Sequence, residues 1–493
     1  MNLKKLIYFF SSLLIIAFPV ANFKYKIFRG VSCHFLHQFE KTVSFPFSVP
    51  DLFQKYIHFY LTDFAVVAIF IGLCFLKETR MQELFFNRHS RYLTFYSFAA
   101  FFSILFSLFS SYFLQYTALI NLILALLAFH LVFVIYQKRL DLISRILWGF
   151  LIVSSLECLI GVGQFVMQHH LGLQFLSEPV VNPYMHNIAV FDLSEGKQFL
   201  SGWFPWIPEG HTRILRSHGT FDHPNIFGGY LAITLFVSYY AYITSTKRGI
   251  GFLILLLIAL QILTLVLTFA RGGFFGWIFG TIIFFSIGLT KKTTFSPAMK
   301  KKILTLGAFL LTVVAVSLVF LSTYLIDRGG IINYNALSMA SDQGRLFYYR
   351  IAYLLILYSP FIGVGFNGFS LFPYGILNPE LKELSQAGGL SHNIYLQIAA
   401  ETGIIGLTFL ILFIVSLFKP YIKKRFTPLS LTLGIIFITM LLIGLADHYW
   451  IAYTSGRLMF FLFGGLFAAC TAAEMGHERP TNATVPFSSP HRK

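Results

Sequence analysis

Charged residues are what this sequence has least of. Only 12% of its 493 residues are Asp, Glu, Lys or Arg, against about 25% in soluble domains. That shortage excludes a soluble globular chain. Cysteine is scarce as well, with four in all. Cys74, Cys158 and Cys470 lie in apolar runs and leave Cys33 without an obvious partner, so no disulfide framework is expected. His34 and His37 lie near Cys33. Three loosely spaced ligands without a fourth make a poor metal centre, and an ordinary loop is the better reading. A dinucleotide fold is excluded too. "GVGFNG", Gly363 to Gly368, fits the glycine spacing but has no strand-helix-strand context, so these glycines are expected to serve a turn beside Pro360.

The abundance lies in apolar residues, 56% of the chain, with 59 phenylalanines. Repeated runs are long enough to cross a hydrocarbon core of about 30 Å. Twelve spans are expected, near 6–21, 57–76, 93–114, 117–136, 146–166, 225–245, 252–270, 273–290, 303–326, 404–418, 428–446 and 456–473. The first also reads as a cleavable signal peptide; the later topology is the same either way. With the N-terminus inside, every alternate loop is short and basic, for example Lys138–Arg139, Lys247–Arg248, Lys300–Lys302 and Lys423–Arg425. The positive-inside rule therefore sets the orientation. It also accounts for most of the net charge of +17 without a nucleic-acid partner.

The expected fold is all-α, a polytopic bundle of about twelve spans with two large extracytoplasmic loops. The N-terminal helices occupy 1–166, the first loop 167–224, four spans 225–326, the second loop 327–403, three spans 404–475, and a cytoplasmic tail 476–493. Both loops carry basic residues against the orientation bias, so each needs a local reason. In "RILRSHGTFDHPNIFGGYLAI", Arg213 and Arg216 precede a turn at Asp222–Asn225 where a helix begins. Helix N-termini favour anions, but a basic lead-in to a span fits equally well. Trp203 and Trp206 suit stacking on sugars or, more commonly, interfacial anchoring. In the second loop Arg345 and Arg350 head an apolar helix of about 15 residues. Arg271 sits at the tight turn "TFARGGFFG".

The stretch "SHNIYLQIAAETGIIG", Ser391 to Gly406, has His392 at a helix start. Asn393, Gln397 and Glu401 follow at a spacing of four, on one helix face. Gly403 and Gly406 permit a bend or close packing, and Gly276-x-x-x-Gly280 is expected to be a helix contact. Asp63 and Glu157, within or near spans, are functional candidates, and Asp447 with His448 lies near an outside helix end; none of these joins a constellation. "NAT" at Asn482 is a sequon in a tail that reads as cytoplasmic.

These segments resemble the bacterial O-antigen ligase and polymerase superfamily. Its signature has His, then Asn, Ser or Gln, nine residues, Gly, two residues and a small residue. His392, Asn393, Gly403 and Gly406 fill every fixed position. "GTFDHPNIFGGYL", "SPFIGVGFNGF" and the turn arginine Arg271 are similar to it as well. Where ligases often carry Leu four residues after that arginine, this chain has Phe275. The resemblance spans roughly 190 to 470. It implies a GT-C-like membrane glycosyltransferase at the outer face of the cytoplasmic membrane. The donor would be a glycan on a polyprenyl diphosphate, commonly undecaprenyl diphosphate, and the acceptor a hydroxyl on lipid, glycan or protein. Arg271 and Arg345 are the first choices to neutralise the departing diphosphate, and Arg216 is the third. His392 is the choice of base, with an ordinary pKa near neutral. Arg213, Asn225, Arg350, Asn393 and Glu401 complete the expected substrate site. No clustered carboxylates are evident, so an inverting, metal-independent reaction without cofactor is expected. Apart from donor and acceptor, only membrane lipids are expected as partners. A transporter would place its polar groups near the midplane in repeated halves, and no convincing repeat is visible.

Overall fold

The computed structural model describes residues 3–17, 61–75, 89–107, 112–185, 188–192, 213–329, 336–377, 389–452 and 454–476. Cys33, His34, His37, Trp203, Trp206 and Asn482 lie outside these residues, as does the side chain of Asp63.

The described chain is almost wholly helical. Helices α1 (Leu3–Ala17), α2 (Leu61–Cys74), α3 (Ser90–Leu105), α4 (Tyr112–Tyr136) and α5 (Leu140–Met167) form the first half. The second half holds α6 (Pro224–Thr244), α7 (Arg248–Leu267), α8 (Arg271–Gly288), α9 (Pro297–Gly329), α10 (Ala336–Tyr358), α11 (Ile394–Phe418), α12 (Pro428–Ile443), α13 (Tyr449–Ala452) and α14 (Thr454–Gly476). The expected all-α fold gains one small exception. In the first long loop β1 (Val190–Asp192) pairs antiparallel with β2 (Arg213–Leu215), Phe191 opposite Ile214. Among the described residues seven helices are long and apolar enough to cross a membrane, and two more are apolar but shorter.

Helix α6 is the axis of the bundle. It packs against α5, α7, α8, α9 and α12, and its whole apolar window is buried inside the protein. The outer helices instead expose large apolar side chains, Phe252, Leu253, Ile282 and Leu311 among them. A soluble chain would not tolerate so broad an apolar surface; hydrocarbon is its natural solvent. Helix α8 meets α12 through Gly276 and Gly280. A Cβ on Gly276 would stand 2.4 Å from Ile443, and one on Gly280 2.3 Å from Thr439, so the small-residue pair permits the contact as expected.

The two ends of the bundle differ chemically. At one end the basic loops converge. The Lys292 ammonium donates to the Ile422 carbonyl, and that of Lys302 to the Tyr242 carbonyl. Lys424 donates to Glu474. Helix α6, about 30 Å long by its helical rise, runs from there to the other end, where Asn225, His392 and Asp447 gather.

The second long loop is more ordered than its sequence suggests. Helix α10 runs 23 residues, starting before Arg345, and α11 begins at Ile394, ten residues ahead of the expected span. The bend falls at Gly403, whose φ of 65° and ψ of −175° break the helix. Carbonyls and an amide freed by that break would be costly inside a membrane. The 360–365 loop takes them up. Val364 donates to Ala400, Gly365 to Glu401, and Ile404 to Pro360, at 2.9, 3.1 and 2.8 Å. Gly363 makes this approach possible, because a Cβ there would lie 2.3 Å from the Glu401 backbone. The "GVGFNG" glycines thus form a turn locked onto a broken helix.

Candidate functional site

Three chain segments build the polar centre. The first is "SHGTFDHPN". Its backbone is fixed from below by α5, where Glu157 accepts from the Thr220 amide and hydroxyl at 2.9 and 2.6 Å. Gln164 accepts from the His218 and Gly219 amides. Glu157 is therefore occupied in holding this loop. His223 then caps α6, its Nδ1 accepting from the Asn225 amide at 3.1 Å, with Pro224 in the first turn.

The second segment is the start of α11. Asn393 is the N-cap, its side-chain oxygen accepting from the Tyr395 and Leu396 amides at 3.0 Å. His392, one residue earlier, has φ +50°. Such a left-handed residue stores roughly 1–3 kcal/mol when it is not glycine. That conformation turns the imidazole away from the helix. The third segment, "ADHYW", follows α12. The α11 start is tied to the end of α12 by Ile394 donating to Gly444 and Asn393 to Leu445. This brings His392 and His448 edge to face, ring centroids 4.5 Å apart.

A chain of hydrogen bonds crosses the centre. The Arg216 guanidinium, buried, donates from Nε to the Thr268 carbonyl and from Nη2 to Asn225 Oδ1, both at 2.7 Å. Asn225 Nδ2 donates to Asp447 Oδ2 at 3.0 Å, and the His448 amide donates to Asp447 Oδ1 at 2.8 Å. Arg345 on α10 lies close enough for its charge to act on His392, His448 and Asp447. The His392 Nδ1 is buried and has no hydrogen-bond partner among the described residues.

Burial sets the protonation states. It lowers His392 to about 4, helped by His448 and Arg345 and opposed by Asp447. It lowers His448 to about 4 with Arg345 adding to the effect, and His223 to about 3 with Arg216 adding. Burial raises the Asp447 carboxyl. The near-neutral value expected for His392 is thus corrected downward. The ring is an unprotonated imidazole at pH 7, and a weaker base than a free histidine.

His392, Asp447 and His448 place one ligand atom each within 4.8 Å of one another. Asp447 and His448, which the sequence joined to no constellation, thus join His392, and by distance alone the three are close enough to hold a metal ion. The charges around them favour a different guest. Arg345 acts on all three residues and Arg216 reaches Asp447 through Asn225, so two guanidiniums accompany a single carboxyl, a balance of charge suited to an anion.

Of the residues expected from sequence, His392, Asn393, Asn225, Arg216 and Arg345 converge. Arg271 opens α8 with an exposed side chain. The turn just before it is the one whose Thr268 carbonyl Arg216 holds. Glu401 is buried, bonded to Gln397 at 2.5 Å and to the Phe369 amide at 3.4 Å, and so forms part of the loop lock. Gln397 joins it there, accepting from the Ser391 amide. Arg350 is exposed and points about 140° around α10 from Arg345. Arg213 lies on β2, opposite Asp192 of β1. Sequence reasoning left Asp447 and His448 unplaced and missed Arg457. The last is a buried arginine of α14 that acts on Glu401 and lies 6.0 Å from the Phe366 ring. The signal for Asp447 and His448 was an ionisable pair ending an apolar run. Arg457 gave none beyond its charge.

The fold and this centre define a multi-pass helical membrane protein with an arginine-flanked histidine site at one end. Residues 254–411 match the family described as O-Antigen ligase, which supports the resemblance to the O-antigen ligase and polymerase superfamily. The matched stretch runs from α7 into α11 and contains Arg271, Arg345 and His392. No curated protein matches the sequence.

Proposed function

We propose that this protein transfers a glycan from a polyprenyl diphosphate to an acceptor hydroxyl at the outer face of the cytoplasmic membrane, in the manner of a GT-C-like O-antigen ligase. The observation that carries this reading is the His392 imidazole, buried and without a partner at Nδ1 among the described residues, within reach of the Arg345 charge and beside the Asp447 that Asn225 links to Arg216. The basic loops at the opposite end support the orientation by the positive-inside rule. They also support a count of about twelve spans with the site outside.

In this reading His392 accepts the acceptor's proton as its oxygen attacks the anomeric carbon. The bond from that carbon to the diphosphate oxygen breaks, and the polyprenyl diphosphate leaves with the electron pair. One displacement inverts the anomeric centre. Arg216 and Arg345, with Arg271 at the start of α8 as a third cation, offset the charge that grows on the leaving group. The burial-lowered basicity of His392 recovers when the anionic donor arrives, because a nearby negative charge favours imidazolium. Asp447 orients Asn225 and the backbone of His448. The guanidiniums supply the positive charge that a metal ion would otherwise bring, so transfer should survive chelator treatment.

The test is transfer from a lipid-linked oligosaccharide by purified protein, wild type against His392→Gln. Glutamine can donate to phosphate but cannot take the proton. Loss of transfer with retained donor binding supports the base; a nearly active variant overturns it. Ligase and polymerase differ in the acceptor. Loss of all attached polymer in a deletion strain indicates the first, and single-repeat attachment the second.

A further inference from the structure

A cavity opens at the opposite end of the bundle, where α6, α7 and α9 meet. It holds about 260 Å³ and is lined by Lys247, Arg248 and Lys302, with Ser245 between them and Phe252 and Leu255 below. No acidic residue lines it, and among the described residues no carboxylate pairs with Lys247 or Arg248. Lys302 is fixed across the mouth. Its ammonium donates to the Tyr242 carbonyl and the Ser245 hydroxyl, both at 3.0 Å, and lies 5.4 Å from the Tyr242 ring centre. Below the cations the surface turns apolar at once. Phe252 and Leu253 on α7 are 62% and 64% exposed, and Leu304 on α9 is 60% exposed.

We infer that this cavity binds the phosphate of an anionic phospholipid of the inner leaflet, with the acyl chains lying along α7 and α9. The cations alone would suit any phosphate. Their continuity with an exposed apolar strip selects a phosphate that carries hydrocarbon. The inner leaflet follows from the orientation by basic loops, and the inference does not depend on the reaction at the other end. Basic pockets between spans on the cytoplasmic side are suited to such headgroups.

Native mass spectrometry of the full-length, delipidated protein titrated with phosphatidylglycerol or phosphatidylcholine tests this. Phosphatidylglycerol should be retained preferentially, and the Lys247→Gln/Arg248→Gln double variant should weaken its retention by about 10-fold while leaving phosphatidylcholine unchanged. Phe252→Gln should weaken it as well. Equal retention of both lipids, or of phosphatidylglycerol by wild type and double variant, overturns the inference. Displacement of the lipid by millimolar inorganic phosphate, with no effect of Phe252→Gln, would show a free-phosphate site instead. Should the double variant fail to fold, the wild-type complex decides: release of phosphatidylglycerol at high salt supports the inference, and indifference to salt overturns it.

Discussion

Two histidines stand next to the start of a helix at the same end of the bundle, and they do opposite things. In "DHPN" His223 is the N-cap of α6 and spends its Nδ1 on the Asn225 amide. In "SHN" the cap is Asn393, so His392 is relieved of that duty, and its Nδ1 has no partner among the described residues. The asparagines exchange roles in the same way. Asn225 reaches into the site and joins Arg216 to Asp447, whereas Asn393 is spent on its helix. One residue of offset relative to the cap decides which side chain is structural and which is available for chemistry.

The comparison is tested hardest at His392. Replacing it by Ala should lower transfer by about 10²–10⁴-fold, the usual contribution of a general base, while the bundle inserts normally. Wild-type transfer by this variant would end the catalytic reading. Arg345→Lys and Arg271→Lys come next, with losses of about 10–10² expected. Each keeps the charge but loses the planar fork that grips two phosphate oxygens. If both lysine variants work as well as wild type, the arginines are only interfacial anchors. Asp447→Asn should cost about 10-fold, since Asn225 would face an amide where it now meets a carboxyl. A KM change without a kcat change would show that Asp447 serves binding alone.

The pH profile sharpens the contrast further. The free-enzyme limb of kcat/KM should fall near pH 4, where His392 gains its proton. The kcat limb should lie higher, because bound diphosphate favours imidazolium. Coincident limbs would mean that the donor's charge does not reach His392.

The helices and their order were legible because hydrophobic runs and basic loops are strong local signals. His392, Asn225, Arg216 and Arg345 were legible as polar residues where apolar ones would suffice. Asp447 and His448 were not, because their meaning lies in a hydrogen bond 222 residues away in sequence and in α11 docking on the end of α12. The partners of Glu401 were hidden for a related reason. Its helical spacing with Asn393 is real, but Gly403 breaks the helix and the 360–365 loop claims that face.

The smallest expected effect is at the other histidine. His223→Asn preserves the cap, because an asparagine side chain accepts from the amides of the first turn as well as any residue. Transfer should stay within about 3-fold of wild type, and stability near neutral pH should hardly change; His223→Ala should cost about 1 kcal/mol. The variant's acid behaviour should differ, however. His223 titrates near 3 in the fold against 6.5 unfolded. The unfolded chain therefore takes up the proton first, and the stability of the neutral, buried form is present above about 6.5 and lost as pH falls toward 3. His218, His392 and His448, each lowered to about 4, act in the same direction, and Asp447, raised by burial, acts against them. Wild-type protein in detergent should thus melt at progressively lower temperature from pH 6.5 to 4, and His223→Asn should flatten that slope without lowering transfer. A loss of transfer as deep as that of His392→Ala would show that both histidines serve the reaction, and the one-residue offset would then not separate cap from catalyst.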